Sequence, residues 1–260
     1  LLLHAGRFDV SSMKPGEVRN VAFTFDVLDS LAEPLVNLEL SVVDLLDRSV
    51  ERVELHDRLQ ADDHASPALL ERPDGRFLAV YSTHGTGDHF LFRTSEAGTA
   101  LRWQPERSFS PSSTTRLSYS NLFQLPMEDG RIYDFFRGLD DRFKPSIAWS
   151  DDDGATWTSG GLLIDVPATV RHRPYVKYVS NDDTIHLVYT EGHPRDYDNS
   201  LYHVFYRRGQ LWRSDGAPVA SLSRGRARPE DGTRVFQGDP ANVPWCADLE
   251  LDAAGQPYVA

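Results

Sequence analysis

The same hairpin recurs along this chain, at residues 66–82, 121–136, 175–189 and 248–260. In each, a short strand runs into a polar turn (Asp74-Gly75, Asp129-Gly130, Asp182-Asp183, Ala254-Gly255), and a second strand rich in aromatic and β-branched residues follows. Alternating apolar residues around such a turn are the signal of a β-hairpin. After the first three hairpins come further strand-like stretches, among them residues 89–93, 146–149 and 201–206. Units of roughly 50–70 residues with about four strands each are the blades of a β-propeller. A β-sandwich also has many short strands, but it gives no reason for one hairpin to recur in one register. The expected fold is therefore all-β, a propeller.

A second signature points the same way. Ser150-Asp-Asp-Asp-Gly-Ala-Thr-Trp157 fits the Asp-box pattern Ser-x-Asp-x-Gly-x-Thr-Trp. Its Ser and Asp side chains can bond the backbone N–H groups of a tight turn, and Gly154 relaxes the backbone there. Its role is structural. The repeats divide the chain, taken as one partial propeller domain over 1–260, into a leading blade at 1–60, blades at 61–115, 116–170 and 171–240, and the start of another at 241–260. Three to four blades cannot close a ring, and an open propeller leaves sheet edges unpaired. The expectation is that the missing blades lie outside this segment.

Composition excludes several classes. A formal charge of −12 argues against nucleic acid as the main partner. No apolar run approaches the ~18–20 residues of a membrane span. The single Cys246 leaves no internal disulfide. Phosphate loops, dinucleotide-binding glycine patterns and nucleophile elbows are absent from the sequence, and no organic cofactor is expected.

Aligning the repeats on their turns picks out equivalent positions. His64, Tyr119 and Arg173 stand at the start of successive first strands, and His84, Arg137 and Glu191 at the end of the second strands, just before Gly85, Gly138 and Gly192. The start of one hairpin strand and the end of the next lie at the same end. In a propeller with its first strand innermost, these side chains would ring one mouth of the central channel. Small or apolar residues would serve a purely structural rim, whereas His, Tyr, Arg and Glu, with His172 and Tyr175 beside them, have a functional composition. Individually each has a plainer reading: His64 in Asp62-Asp63-His64 fits a turn residue paired to a carboxylate, and Tyr119 fits a core residue.

Asp62-Asp-His-Ala-Ser-Pro67, Tyr81-Ser-Thr-His-Gly85, Ser118-Tyr-Ser-Asn121, Phe135-Phe-Arg-Gly138, Glu191-Gly-His-Pro194 and Asn199-Ser-Leu-Tyr-His203 occur in that order. The series resembles the Asp-box (BNR) repeat propellers that include ulvan lyases of polysaccharide lyase families 24 and 25, from about Val42 onward. The resemblance implies a seven-bladed propeller that cleaves an acidic polysaccharide at a uronate by β-elimination, with His64, His84, Tyr119 and Arg137 as the catalytic set. The chemistry suits these residue types. The reaction must neutralise a carboxylate and supply a base and an acid. A guanidinium grips a carboxylate, and histidine titrates near neutral pH. Which group is base and which acid stays open.

Asn121, His172, Arg173 and Tyr175 are candidates for holding the sugar chain. His193, His203 and Cys246 offer nitrogen and thiolate ligands that suit a structural zinc, although their spacing matches no standard zinc motif. A sialidase-like hydrolase, built on an Arg cluster with a Tyr–Glu pair, and a non-catalytic glycan-binding propeller are the competing expectations. A polymer substrate implies a secreted or periplasmic protein.

Overall fold

The computed structural model describes residues 2–5, 24–26, 35–44, 49–62, 64–111, 116–139, 143–165, 173–222 and 226–260, with side chains from residue 52 onward. The fold is all-β and of propeller type, its strands gathered into successive antiparallel sheets. Among the described residues no helix is long and apolar enough to cross a membrane. The chain divides into two compact units, Leu1–Ser110 with Leu117–Ser120, and Pro111–Arg116 with Asn121–Ala260.

In the first unit, β1 (Leu2–Ala5) pairs with β2 (Thr24–Asp26), and β3 (Leu35–Asp44) with the long β4 (Ser49–Gln60). A four-stranded meander follows, of β5 (Ala68–Glu71), β6 (Phe77–Tyr81), β7 (Phe90–Thr94) and β8 (Arg107–Phe109). Leu55, Leu59, Ala65, Ala79 and Tyr81 form its buried cluster. The Tyr81 hydroxyl is held inside between two acceptors that share its one proton, the Leu55 carbonyl at 3.0 Å and Glu106 at 2.7 Å.

The second unit carries the next meander, β9 (Ser118–Gln124, its first residues counted with the first unit), β10 (Ile132–Gly138), β11 (Lys144–Ser150) and β12 (Thr158–Leu162). A third sheet runs β13 (Val176–Ser180), β14 (Ile185–Thr190), β15 (Leu201–Arg207), β16 (Gln210–Trp212) and β17 (Pro218–Ser221), with β18 (Thr233–Phe236) also pairing with β15. The last hairpin is β19 (Leu249–Leu251) with β20 (Pro257–Val259).

Burial explains the sequence pattern. The second strand of each meander is the most enclosed: every residue of β10 and β14 is buried, and four of five in β6. A strand covered on both faces reads as a nearly continuous apolar run rather than an alternation, as in Phe77-Leu-Ala-Val-Tyr81. The outer strands β8 and β12 have no fully buried residue. In the second unit Tyr133, Phe135, Ile147, Leu187, Val204 and Tyr206 share one core. Glu128 serves it from the rim, accepting from the hydroxyls of Tyr133 and Tyr206 and from the Arg208 amide at 2.7 Å. The Tyr206 hydroxyl lies 2.7 Å from that of Tyr133, and its one proton is shared between Tyr133 and Glu128, so neither buried hydroxyl lacks a partner.

The Asp box closes the β11–β12 hairpin. Ser150 Oγ accepts the Gly154 amide at 2.8 Å, while Asp152 takes the amide of Thr156 at 2.7 Å and its hydroxyl at 2.6 Å. Gly154 has φ +83°, which explains glycine at that place in the motif.

Candidate functional site

In the first unit, Asp62 and His64 lie just after β4, His84 lies just after β6, and Tyr119 stands at the start of β9. Asp62 makes a short local turn, its Oδ1 accepting the His64 amide at 2.9 Å. Gln60 Oε1 accepts the His84 amide at 3.1 Å and the Thr86 hydroxyl at 2.9 Å. Gly85, at φ +65°, donates its amide to the Leu117 carbonyl at 2.9 Å, and Leu117 returns a bond to Gly87 at 3.0 Å. These bonds bring three chemically active side chains to one place.

The imidazoles of His64 and His84 stack with centroids 4.0 Å apart and planes 13° from parallel. The Tyr119 ring stands edge-on, 5.3 Å from His64 and 5.9 Å from His84. One carboxylate spans both imidazoles: Asp62 Oδ1 lies 2.5 Å from His64 Nδ1, and Oδ2 lies 3.0 Å from His84 Nδ1. Burial would raise the Asp62 pKa, but the hydrogen bonds from the His64 amide and from both imidazoles, with the charge of His84, outweigh it and bring it down to about 2. Asp62 is therefore a carboxylate, which can only accept. Both Nδ1 atoms must donate to it, and in each neutral ring the proton-accepting atom is then Nε2. The side chains keep 32% and 24% of their surface, enough for a substrate to reach. Asp62, His64 and His84 are also close enough to share a metal ion, but an ion taken on at the Nδ1 atoms would have to displace these protons.

Tyr119 has φ +59°. A bulky side chain in the left-handed region costs about 1–3 kcal/mol and persists where surrounding structure imposes it, often at functional sites.

In the second unit Arg137, next to last in β10, is only 7% exposed, its guanidinium 5.5 Å from the Phe143 ring and 5.8 Å from the Tyr175 ring. Arg173 is exposed and Tyr175 half-buried. Asn121 is engaged within its sheet, its amide donating to Asp134 at 3.1 Å and its Nδ2 to the Phe135 carbonyl at 3.0 Å. Glu191 is likewise engaged, accepting from the Ser200 amide at 2.6 Å and the Tyr202 hydroxyl at 2.8 Å. His172 lies outside the described residues.

Residues 41–260 match the model described as BNR repeat-containing family member. The chain belongs to that family. No curated protein matches the sequence. Among solved structures, the chain is similar to an ulvan lyase of a polysaccharide lyase family, PL25, at 17% identity and a TM-score of 0.59, over 76% of this chain and 51% of that one. The same enzyme bound to -[GlcA(1-4)Rha3S]- aligns at 16% identity with the same TM-score and coverage. A looser likeness is to an α-L-arabinanase of Penicillium chrysogenum complexed with arabinobiose, at 18% identity and a TM-score of 0.41 over 55% of this chain and 46% of that one. This BNR-repeat chain thus spans about half the length of the ulvan lyase it matches.

The BNR-repeat chain does not bring His193, His203 and Cys246 together. Among the described residues, the group of ligating side chains close enough to share an ion is Asp62, His64 and His84. Each of the other three lies in a setting of its own. Cys246 is buried with Val188, Leu201 and Leu249, its thiol donating toward the Asp248 carbonyl at 3.6 Å, and burial pushes its pKa up to about 11. In this setting the thiol packs as a small core residue. His193 packs on Tyr175 and Trp245.

His203 stacks on His186, with His186 Nδ1 3.0 Å from His203 Nε2 and His203 Nδ1 2.7 Å from Ser214 Oγ. Burial first, then His186, lowers the His203 pKa from 6.5 to about 4. Burial also lowers that of His186, against the opposing charge of Asp183. A folded-state pKa below the unfolded one gives stability that is complete above pH 6.5 and is lost as the pH falls toward about 4. His203→Gln should therefore flatten the fall in unfolding free energy between pH 7 and 4 by on the order of 3 kcal/mol, read from urea melts at each pH. An equal fall in both proteins would exclude His203 as a titrating group.

Sequence reasoning missed Asp62 as a member of the site. The spacing Asp62-x-His64 held the only local signal, and it indicated a turn, because nothing in the sequence shows that the second carboxylate oxygen meets His84.

Proposed function

We propose that this chain is the catalytic segment of a polysaccharide lyase that cleaves an acidic, uronate-containing polysaccharide by β-elimination. The observation that carries this reading is the stacked His64–His84 pair, oriented by one carboxylate, with a backbone-constrained Tyr119 at its edge. With Nδ1 held by Asp62, an imidazole takes the proton from the sugar carbon beside the uronate carboxyl at Nε2. The C–H electron pair becomes the new C=C bond, the C4–O bond breaks, and the Tyr119 hydroxyl protonates the departing oxygen. The carboxylate of Asp62 stabilises the imidazolium as it forms. Arg137 is assigned to the uronate carboxylate on the sequence resemblance and on its fixed guanidinium, which suits a planar anion.

The ulvan lyase named among the similar structures acts on a polymer of this class, which adds support. No organic cofactor is needed, because acid, base and cation are all side chains. A polymer substrate is met outside the cytoplasm, so we infer export. The hydrolase reading is weaker because Glu191, its candidate partner for a tyrosine nucleophile, is engaged within its own sheet. The deciding experiment is incubation of the protein with a uronate-containing polysaccharide such as ulvan. Elimination yields new ultraviolet absorbance from a C=C bond conjugated to the carboxylate, in proportion to the chain ends formed. New reducing ends without that absorbance would show hydrolysis and end the lyase reading.

A further inference from the structure

A second cluster, wholly within the second unit, is not used by this chemistry. The His193 ring is edge-on to Tyr175, with centroids 5.0 Å apart and Nε2 3.4 Å from the tyrosine hydroxyl. The Trp245 indole lies 5.4 Å from Tyr175 and 5.6 Å from His193, edge-on to both. The Arg195 guanidinium is 5.7 Å from the Trp245 ring. Burial lowers the His193 pKa; the negative charge of Asp196 opposes it, and the smaller effects of Arg173, Arg195 and Arg137 add to the lowering. Three guanidinium groups, with the Asp196 carboxylate, thus act on one imidazole in a chain whose formal charge is −12.

Trp245 is 44% exposed although its neighbour Cys246 is fully buried. An indole held open between two aromatic edges, with a guanidinium over it, has the form of a binding platform. Its flat apolar face matches the C–H face of a pyranose ring, and the guanidinium groups match a carboxylate or a sulfate ester. Trp245 also borders an apolar pocket with Leu201, Phe236 and Val259. Among the described residues no charged side chain lines that pocket, so it is the arginines that specify an anion.

We propose that Trp245, His193 and Tyr175, with Arg173 and Arg195, form a subsite for one anionic sugar residue of the polysaccharide. This rests on the proposed substrate class and not on the elimination chemistry, so it is tested by binding. The protein carrying His64→Ala, to prevent turnover, is titrated calorimetrically with a sulfated uronate oligosaccharide, with its desulfated form and with a neutral oligosaccharide of equal length. Arg195→Gln should weaken binding of the acidic oligosaccharide about tenfold and leave the neutral one unchanged, whereas Trp245→Ala should weaken both. Arg195 is exposed, so its loss tests the charge without risking the fold. Weakening in Arg195→Gln on the sulfated form alone assigns the sulfate, and weakening on both acidic forms assigns the carboxylate. Unchanged affinity in Arg195→Gln, or loss only in Trp245→Ala, overturns the anionic subsite. Arginine-dependent binding, with no unsaturated product from the protein that retains His64, would keep the subsite and remove the lyase reading.

Discussion

Tyr119→Phe should cut the formation of unsaturated product about 10²–10⁴-fold while leaving the thermal midpoint unchanged. The substitution removes one oxygen and keeps the ring that stands 5.3 Å from His64 and 5.9 Å from His84. It also keeps the left-handed backbone, since both side chains impose the same cost at φ +59°. Ring packing and backbone strain are therefore matched, and the hydroxyl is what differs. His64→Ala and His84→Ala should each lose activity on the same scale, but they also unstack the pair and leave Asp62 short of a donor, so some loss of stability accompanies them. The tyrosine variant separates chemistry from structure. If it kept near-normal rates while both histidine variants were inactive, the leaving oxygen would take its proton from an imidazole and Tyr119 would be a packing residue. Normal rates in all three would place the chemistry elsewhere on the chain.

The blades were legible because their signals are local. Asp74-Gly75 and Asp129-Gly130 are compatible with left-handed turns, and the structure has Gly75 at φ +75°, Asp129 at +54° and Gly130 at +76°. The enclosed second strands carry unbroken apolar runs. The convergence of His64, His84 and Tyr119 could be read from equivalent repeat positions, because repeats that fold alike place like positions alike. What escaped is what depends on side-chain direction across unrelated segments. His203 lies on β15, where it meets His186 from the neighbouring strand, while Cys246 turns into an apolar cluster. A list of ligating residue types in sequence order carries no information about those directions. Trp245 escaped for the opposite reason: a lone tryptophan before a cysteine gives no sign that Tyr175 and His193 flank it.

Asp62→Asn should lower kcat by about 10²–10⁴-fold with little change in KM, although Asp62 performs no proton transfer itself. The carboxylate accepts from both rings, one at each oxygen, 2.5 Å from His64 Nδ1 and 3.0 Å from His84 Nδ1. An amide of the same shape has one accepting oxygen and one donating nitrogen. It can hold one ring with its proton on Nδ1, but toward the other it presents N–H, and that ring must move its proton to Nε2. The moved ring can no longer take a proton at the atom facing away from residue 62. Imidazole ¹⁵N spectra should show both rings protonated at Nδ1 in the parent protein, and one of them switched to Nε2 in the variant. Which ring switches should then agree with which single histidine substitution is the more damaging. A purely structural role for Asp62 would lower the melting temperature without changing either tautomer. Full kcat with both rings still protonated at Nδ1 would mean that something other than this carboxylate holds the pair.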